Sequence, residues 1–295
     1  MLGPLLFNIF VDDIDQVLHP EVKIKKFADD TKIYISYYPS DAAAAHSKLQ
    51  ESLDSLSGWC TQWCMQLNES KCSTMYFGKN NHAFTYSLNG HNLARSSSVR
   101  DLGVTVNDSG TVSDQCHKVA ATARRLTGQI FRTFKSRKAS VILLILKTII
   151  RLVVEYATPV WNPCLQKDIA EVEKVQRQVT RYIDGFRDLP YHLRLQSLNL
   201  PKLATRRLYL DLLECYKIVH GLVRSDCRPL LMLSSRNTRG FNCMLDTNRP
   251  PARLNVRKHF FVERVLSQWN ALPLEILRQN TLSNFKVALR KHLQL

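Results

Sequence analysis

The spacing of apolar residues changes near residue 111, and that change does most to limit what this chain can fold into. Before it, apolar residues come in short β-branched and aromatic runs separated by turn residues, with one longer helical stretch among them. After it, they recur at steps of three and four for most of the remaining length. The first spacing belongs to strands and hairpins and the second to helices that bury one face, so the expected class is α+β.

In the first third, Val22 to Phe27 and Thr31 to Ser36 flank Ala28-Asp29-Asp30, which predicts a hairpin with two carboxylates at its tip. Tyr86-Ser87-Leu88 and His91-Asn92-Leu93 flank Asn89-Gly90, a dipeptide that tolerates the positive φ angles of a tight turn. Thr74 to Gly78 reads as a strand. Leu49, Leu53, Leu56, Cys60, Trp63 and Leu67 recur at helical steps after Ser40, a residue suited to capping, so 41–67 is expected to be one amphipathic helix.

Further on, Cys116, Val119, Ala120, Ala123, Leu126, Ile130 and Phe134 mark a helical stripe. Residues 139–157, 168–183 and 202–220 give three more, the last two ending at Gly185 and Gly221 as helices commonly do. Ser225 to Val256 lacks periodicity and reads as a loop or extended arm. Two helices near 257–271 and 281–293, separated by Pro273, complete the chain, and no internal repeat is visible.

The formal charge is +16 over 295 residues, a field that attracts nucleic-acid phosphates or an anionic surface. It is unevenly spread: residues 1–110 are net −3, residues 111–235 net +11 and residues 236–295 net +8. That asymmetry suggests a metal or catalytic site early and a polyanion grip late. A hydrophobic content of 45% excludes a disordered chain. The eight cysteines lack the paired C-x-x-C spacing of a zinc site and read as reduced intracellular thiols. Cys60 and Cys64 fall one helical turn apart, which favours packing over metal binding. The most apolar stretch, Val141 to Tyr156, is broken by Lys147, Arg151 and Glu155, so no membrane span is expected. No signal peptide is visible at the start.

Adjacent aspartates at a hairpin tip repel one another unless a cation lies beside them, and hard divalent ions prefer such oxygen ligands. Two-metal phosphoryl transfer is the chemistry that uses them. Taken alone, Asp29 and Asp30 are as readily explained as turn residues bonding their own backbone. Asp12 and Asp13 form a second pair, but they follow a helix-like apolar run and read as a helix end or turn.

The surroundings shift the balance. Leu2-Gly3-Pro4-Leu5-Leu6-Phe7-Asn8-Ile9-Phe10 followed by Phe27-Ala28-Asp29-Asp30 resembles the palm of reverse transcriptases from non-LTR (LINE-type) retrotransposons. Leu67-Asn68-Glu69-Ser70-Lys71-Cys72 after the Trp59 and Trp63 helix, then Leu102-Gly103-Val104, match in the same order. Thr238-Arg239-Gly240, Arg257-Lys258-His259-Phe260-Phe261, Arg264-Val265, Trp269-Asn270 and Leu272-Pro273 are similar to the C-terminal segment of the CR1-like and jockey-like branches.

The resemblance implies an α+β truncated palm of β-hairpins and a long helix over 1–110, a mostly helical thumb-like region over 111–235, and a basic C-terminal arm with helices over 236–295. It implies a template-directed deoxynucleotide transfer with two Mg2+ ions, on an RNA template paired with a DNA primer. No membrane is involved, and no small-molecule cofactor beyond the deoxynucleotide. Asp29 resembles the family's metal-ligating aspartate and Asp30 its less direct companion. Lys71 matches a lysine near the incoming triphosphate, with a solvated lysine before a strand as the alternative. Leu102 and Gly103 resemble the turn that holds the primer end, although Asp101 stands where an aromatic is more usual.

A duplex-facing helix needs cations, and Arg124, Arg125, Arg132, Lys135, Arg137 and Lys138 supply six. Trp161, Trp269 and Tyr182 at helical spacing read as core instead of base-stacking platforms. The family's fingers and the palm strand with the first metal aspartate would precede Leu2 and are not in this sequence, so Met1 is expected to start a truncated frame. A fragment inactive alone is therefore expected, with a non-catalytic nucleic-acid-binding remnant or a pseudogene product as the alternatives.

Overall fold

The computed structural model of the chain describes residues 2–78, 81–234, 243–248, 250 and 252–295. These form two compact units, one of residues up to Val99 with Asn107–Ser109, the other of Arg100–Val106 with Gly110–Leu295. Helices and short strands occur together, a mixture compatible with the α+β expectation.

In the first unit, α1 (Gly3–Phe10) carries Pro4 in its first turn, where a missing N–H leaves no bond unmade. Its Leu5, Leu6 and Ile9 are exposed. Strands β1 (Lys23–Phe27) and β2 (Asp30–Tyr34) pair antiparallel, with Phe27 opposite Asp30 and Ile24 opposite Ile33. Strand alternation puts Ile24 and Ile33 on one face. Both pack on a core of Val11, Ile14, Leu18, Val22, Leu56, Trp59 and Cys60. The last three belong to α2 (Ala42–Gln62), whose Leu53 joins Tyr86 and Leu88 in a second cluster.

Four two-residue strands follow: β3 (Ser73–Thr74), β4 (Ser87–Leu88), β5 (His91–Asn92) and β6 (Ala94–Arg95). β3 runs parallel to β6, and β4 pairs antiparallel with β5. The β4–β5 turn holds Asn89 at φ 50° and Gly90 at φ 77°, as that dipeptide predicts. β7 (Ser98–Asp101) and β8 (Val104–Asn107) pair where the chain passes from one unit to the other.

The second unit is helical. α3 (Ser113–Thr133) contributes Cys116, Val119, Ala120 and Ala123 to a core shared with α4 (Ala139–Ile145), α5 (Arg151–Glu155) and Val172, Val175 and Val179 further along. After α6 (Thr158–Trp161) come α7 (Gln166–Thr180), α8 (Tyr191–Ser197) and α9 (Leu203–Val219). α10 (Asn255–Lys258), α11 (Phe261–Asn270), α12 (Leu274–Leu277) and α13 (Leu282–Leu293) close the chain. α9 lies between two cores: Leu203 enters the first, whereas Tyr209, Leu212, Leu213 and Tyr216 pack with Val265, Trp269, Phe285 and Leu289. Gly221 (φ 68°) follows the cap of α9 in the left-handed conformation that ends helices, whereas α7 stops at Thr180, short of Gly185.

Several elements differ from expectation for identifiable reasons. α2 stops at Gln62, and Cys64 takes φ 55°, so Leu67 reaches the core from beyond the helix. Ser40 does not cap this helix; its hydroxyl donates to the Asp41 carboxylate at 3.0 Å, and Asp41 occupies the cap position. The strand expected over 74–78 shrinks to β3.

The single helix expected over 139–157 is interrupted by a π turn at Leu146–Ile150. Ile142, Leu146, Ile150 and Val154 are all essentially fully buried, and they recur at steps of four. An α-helix of 3.6 residues per turn would rotate each successive member by about 40° away from the core. The wider π turn absorbs that drift. All eight cysteines are free thiols, and burial pushes Cys116 up to about 12. Among the described residues, no helix is long and apolar enough to cross a membrane.

Inside the second unit Asp211 accepts from Arg264 twice, Nε to Oδ2 and Nη2 to Oδ1, both at 2.9 Å. Asn162 Nδ2 donates to the same carboxylate at 2.7 Å, and Arg207 Nε donates to Asn162 Oδ1 at 3.1 Å. Asp211→Ala would strand buried guanidinium groups, an uncompensated charge costing about 3–5 kcal/mol. Urea denaturation of the variant is expected to show a loss of that size. A loss under about 1 kcal/mol would assign the network no more weight than a surface ion pair.

Candidate functional site

The β1–β2 hairpin sets the geometry of the carboxylate pair. Phe27 faces Asp30 across the ladder, which leaves Ala28 and Asp29 as the two-residue turn. Ala28 lies at φ 51°, a conformation in which its Cβ crowds the backbone. Asp29 therefore occupies the tip and Asp30 the first strand position, both exposed. Two exposed carboxylates suit an oxygen-preferring divalent ion in kind. Among the described residues no group of three or more His, Cys, Asp or Glu is arranged to hold a metal.

The second aspartate pair lies in the short turn Asp12–Val17 after α1, as its position behind an apolar run implies. Lys26, one residue before the hairpin's Phe27, ties this turn down: its ammonium donates to the carbonyls of Val11 (2.9 Å) and Asp12 (3.0 Å) and to the Asp15 carboxylate. The charge beside the hairpin is thus used to cap a helix end.

Lys71 ends the short turn Glu69–Lys71 and is exposed. The neighbouring Glu69 accepts a hydrogen bond from Asn89, which holds its carboxyl below the usual range. Together these two residues and Cys60, Thr61, Met65 and Leu67 line an open cleft between the end of α2 and the β4–β5 turn. That cleft has no signature in residue spacing.

Leu102 and Gly103 form the two-residue β7–β8 turn, at φ 44° and φ 83°. Both central residues are left-handed, the pattern of a type I′ turn, which glycine adopts freely and leucine does not. Tyr156, at the end of α5, donates from its hydroxyl to the Leu102 carbonyl at 2.9 Å. This turn belongs to the second unit and the carboxylate hairpin to the first.

The six cations divide. Arg124 Nη1 donates to Glu171 Oε1 at 2.6 Å, joining α3 to α7, and Lys174 bonds the same carboxylate at 2.9 Å. Lys174 and Arg124 together hold the Glu171 carboxyl below its usual range. Arg137 donates to the carbonyls of Phe131 (3.1 Å) and Phe134 (2.7 Å) and lies over the Phe131 and Tyr182 rings. It satisfies carbonyls that the end of α3 would otherwise leave open. Arg124 and Arg137, expected from the sequence to meet a duplex, thus have partners within the fold. Arg125, Lys135 and Lys138 are exposed with no side-chain bond shown, and exposed Arg132 bonds only Gly128 of its own helix.

Trp161 and Trp269 are each 1% exposed, which makes them core as their helical spacing implies. Trp269 Nε1 donates to the Cys243 carbonyl at 3.0 Å, and Asn270 clamps Leu245 through both backbone groups, at 2.8 and 3.0 Å. The Trp269-Asn270 motif thus fastens the arm to α11. Thr238-Arg239-Gly240 lies outside the described residues.

The family model described as reverse transcriptase (RNA-dependent DNA polymerase) matches residues 1–106, which include the aspartate hairpin, Lys71 and the Leu102–Gly103 turn. Over 228 residues, 70% of this chain, the sequence is 25% identical to the RNA-directed DNA polymerase from mobile element jockey of Drosophila melanogaster. Over 220 residues, 68% of the chain, it is 25% identical to the probable RNA-directed DNA polymerase from transposon BS of the same organism. The matched parts are 24% and 23% of those relatives, so the chain corresponds to about a quarter of their length. No solved structure matches the chain. The motifs, their order and these two relatives agree: residues 1–106 match the reverse transcriptase family, and about two thirds of the chain is similar to part of the RNA-directed DNA polymerases of non-LTR, LINE-type retrotransposons.

Proposed function

We propose that this chain contributes one wall of a polymerase that adds deoxynucleotides to a DNA primer on an RNA template. The observation that carries this reading is Asp29 at the tip of a two-residue hairpin turn inside the family-matched segment. Residues 1–110 then form part of a palm, 111–235 a thumb-like region and 236–295 a basic arm with helices.

Reverse transcriptases in general depend on magnesium. Asp29, with Asp30 as its less direct companion, would hold such an ion, which when bound supplies positive charge to the phosphates of the reaction. Lys71 would neutralise charge on the leaving pyrophosphate. The Leu102–Gly103 turn would meet the primer end. Arg125, Arg132, Lys135 and Lys138 would face the phosphates of the duplex, whereas Arg124 and Arg137 hold the fold. Binding without catalysis is the second reading, favoured by a carboxylate set of two on the hairpin, Asp29 at the tip and Asp30 beside it, with no group of three or more metal-ligating side chains among the described residues.

Three outcomes are expected. The 295-residue chain alone should not extend a primer on a homopolymer template with magnesium or manganese; extension that Asp29→Ala abolishes would refute this. Joined to the upstream part of a relative's polymerase, it should lose roughly 10³-fold or more of single-nucleotide incorporation on Asp29→Ala, as loss of a metal ligand removes several kcal/mol of charge stabilisation. Asp12→Ala in the same polymerase should cost about 1 kcal/mol of stability or less and leave turnover nearly intact. The opposite ranking would mean the catalytic carboxylate lies in the turn after α1.

Lastly, duplex affinity should fall steeply with salt. Replacing Arg125, Arg132, Lys135 and Lys138 by alanine should flatten the slope of log affinity against log salt by about 0.9 for each phosphate no longer neutralised. Arg124→Ala should instead lower the melting temperature. An unchanged slope in the fourfold variant would assign those cations to a solvated face.

A further inference from the structure

We infer that Tyr156 is the positioning residue of the Leu102–Gly103 turn, fixing the backbone form in which that turn meets the end of a nucleic-acid strand. The inference rests on the reading of this turn as the one that meets the primer end.

Leucine seldom adopts φ 44°, because its Cβ then crowds the following carbonyl. A turn with such a residue relaxes unless something outside it holds the strained form. Tyr156 acts on it twice. Its hydroxyl donates to the Leu102 carbonyl at 2.9 Å, which orients the peptide between Leu102 and Gly103. Its ring lies directly under Gly103: a Cβ placed there would come within 3.2 Å of Tyr156 Cε1. Glycine thus serves both the φ of 83° and the approach of the ring.

Tyr156 is itself anchored. Its carbonyl accepts from Nε1 of Trp161, which is 1% exposed, at 2.8 Å. Ala157 then turns at φ 51° to start α6, so the chain reverses at a fixed point. From Thr105 the other strand is tied as well, its N–H donating to Gln115 Oε1 of α3 at 2.8 Å. The Leu102 side chain is 42% exposed and Tyr156 is 56% exposed, so the held turn presents its outer face to solvent.

The test uses the full chain with a template annealed to a primer that ends in 4-thiothymidine, a short-range photocrosslinking base. Crosslinks are mapped by peptide mass, with duplex affinity measured in parallel by anisotropy. The wild-type chain is expected to crosslink within residues 100–104. Tyr156→Phe, which keeps the ring and the fold, should bind duplex equally while that crosslink drops about fivefold, the factor one hydrogen bond contributes to an equilibrium between turn forms. Gly103→Ala should lose it as well, by pushing a methyl group into the ring. A Tyr156→Phe chain that crosslinks like wild type overturns the positioning role and leaves the reading of the turn intact. A wild-type chain that yields no crosslink within 100–104 overturns that reading and the inference with it.

Discussion

One carboxylate with several donors around it organises the second unit. Asp211 on α9 takes both arms of the Arg264 guanidinium from α11 and the amide of Asn162, which in turn receives Arg207. A charge placed that deep is tolerable only when its partners arrive in the right geometry, so the network demands that α9, α11 and the residues after α6 dock together. The apolar contacts of α9 supply the driving force. The ion pair selects a docking that also brings Tyr216 against Phe285 and Phe285 against Trp269, with ring centroids 4.3 and 5.7 Å apart.

The first unit is organised differently, through the two faces of α2. One face receives the hairpin by way of Ile24 and Ile33, and Leu53 receives Tyr86 and Leu88. Asp29 gains its exposed position from this arrangement: the cross-strand isoleucines seat the hairpin base, and the two-residue turn carries the carboxylate away from it. Lys26, three residues before Asp29, is turned toward the end of α1.

Legibility in the sequence followed the range of the interaction. Asn89-Gly90 announces its turn because a two-residue loop is fixed by its own φ angles; the Ala28-Asp29-Asp30 turn is legible as a hairpin, but the ladder reaches one residue further than expected and draws Asp30 into β2 opposite Phe27. The apolar stripes give the helices because burial of one face needs no knowledge of the partner. The end of α2 at Gln62 was hidden, since Trp63 and Leu67 continue the period while the backbone turns at Cys64. Arg124 and Arg137 read as free cations because Glu171 and the Tyr182 ring approach them from α7 and its end, 47 and 45 residues further on. Tyr156 is 54 residues from Leu102, and only tertiary structure pairs them.

The double burial of α9 has a consequence for how the chain comes apart. Residues before and after the long irregular stretch share one core, with Tyr209, Leu212 and Tyr216 on one side and Val265, Phe285 and Leu289 on the other. Leu231 and Leu245, which lie between those two groups in sequence, are themselves 2% exposed in this core, and Trp269 and Asn270 bond Cys243 and Leu245, so a cut backbone would leave both pieces seated in it. A protease nick in that stretch would therefore yield two polypeptides that migrate separately on a denaturing gel yet elute as one particle from a sizing column. Continuity of the chain there matters for assembling the core, and the buried residues the arm contributes, Leu231 and Leu245, help to keep it.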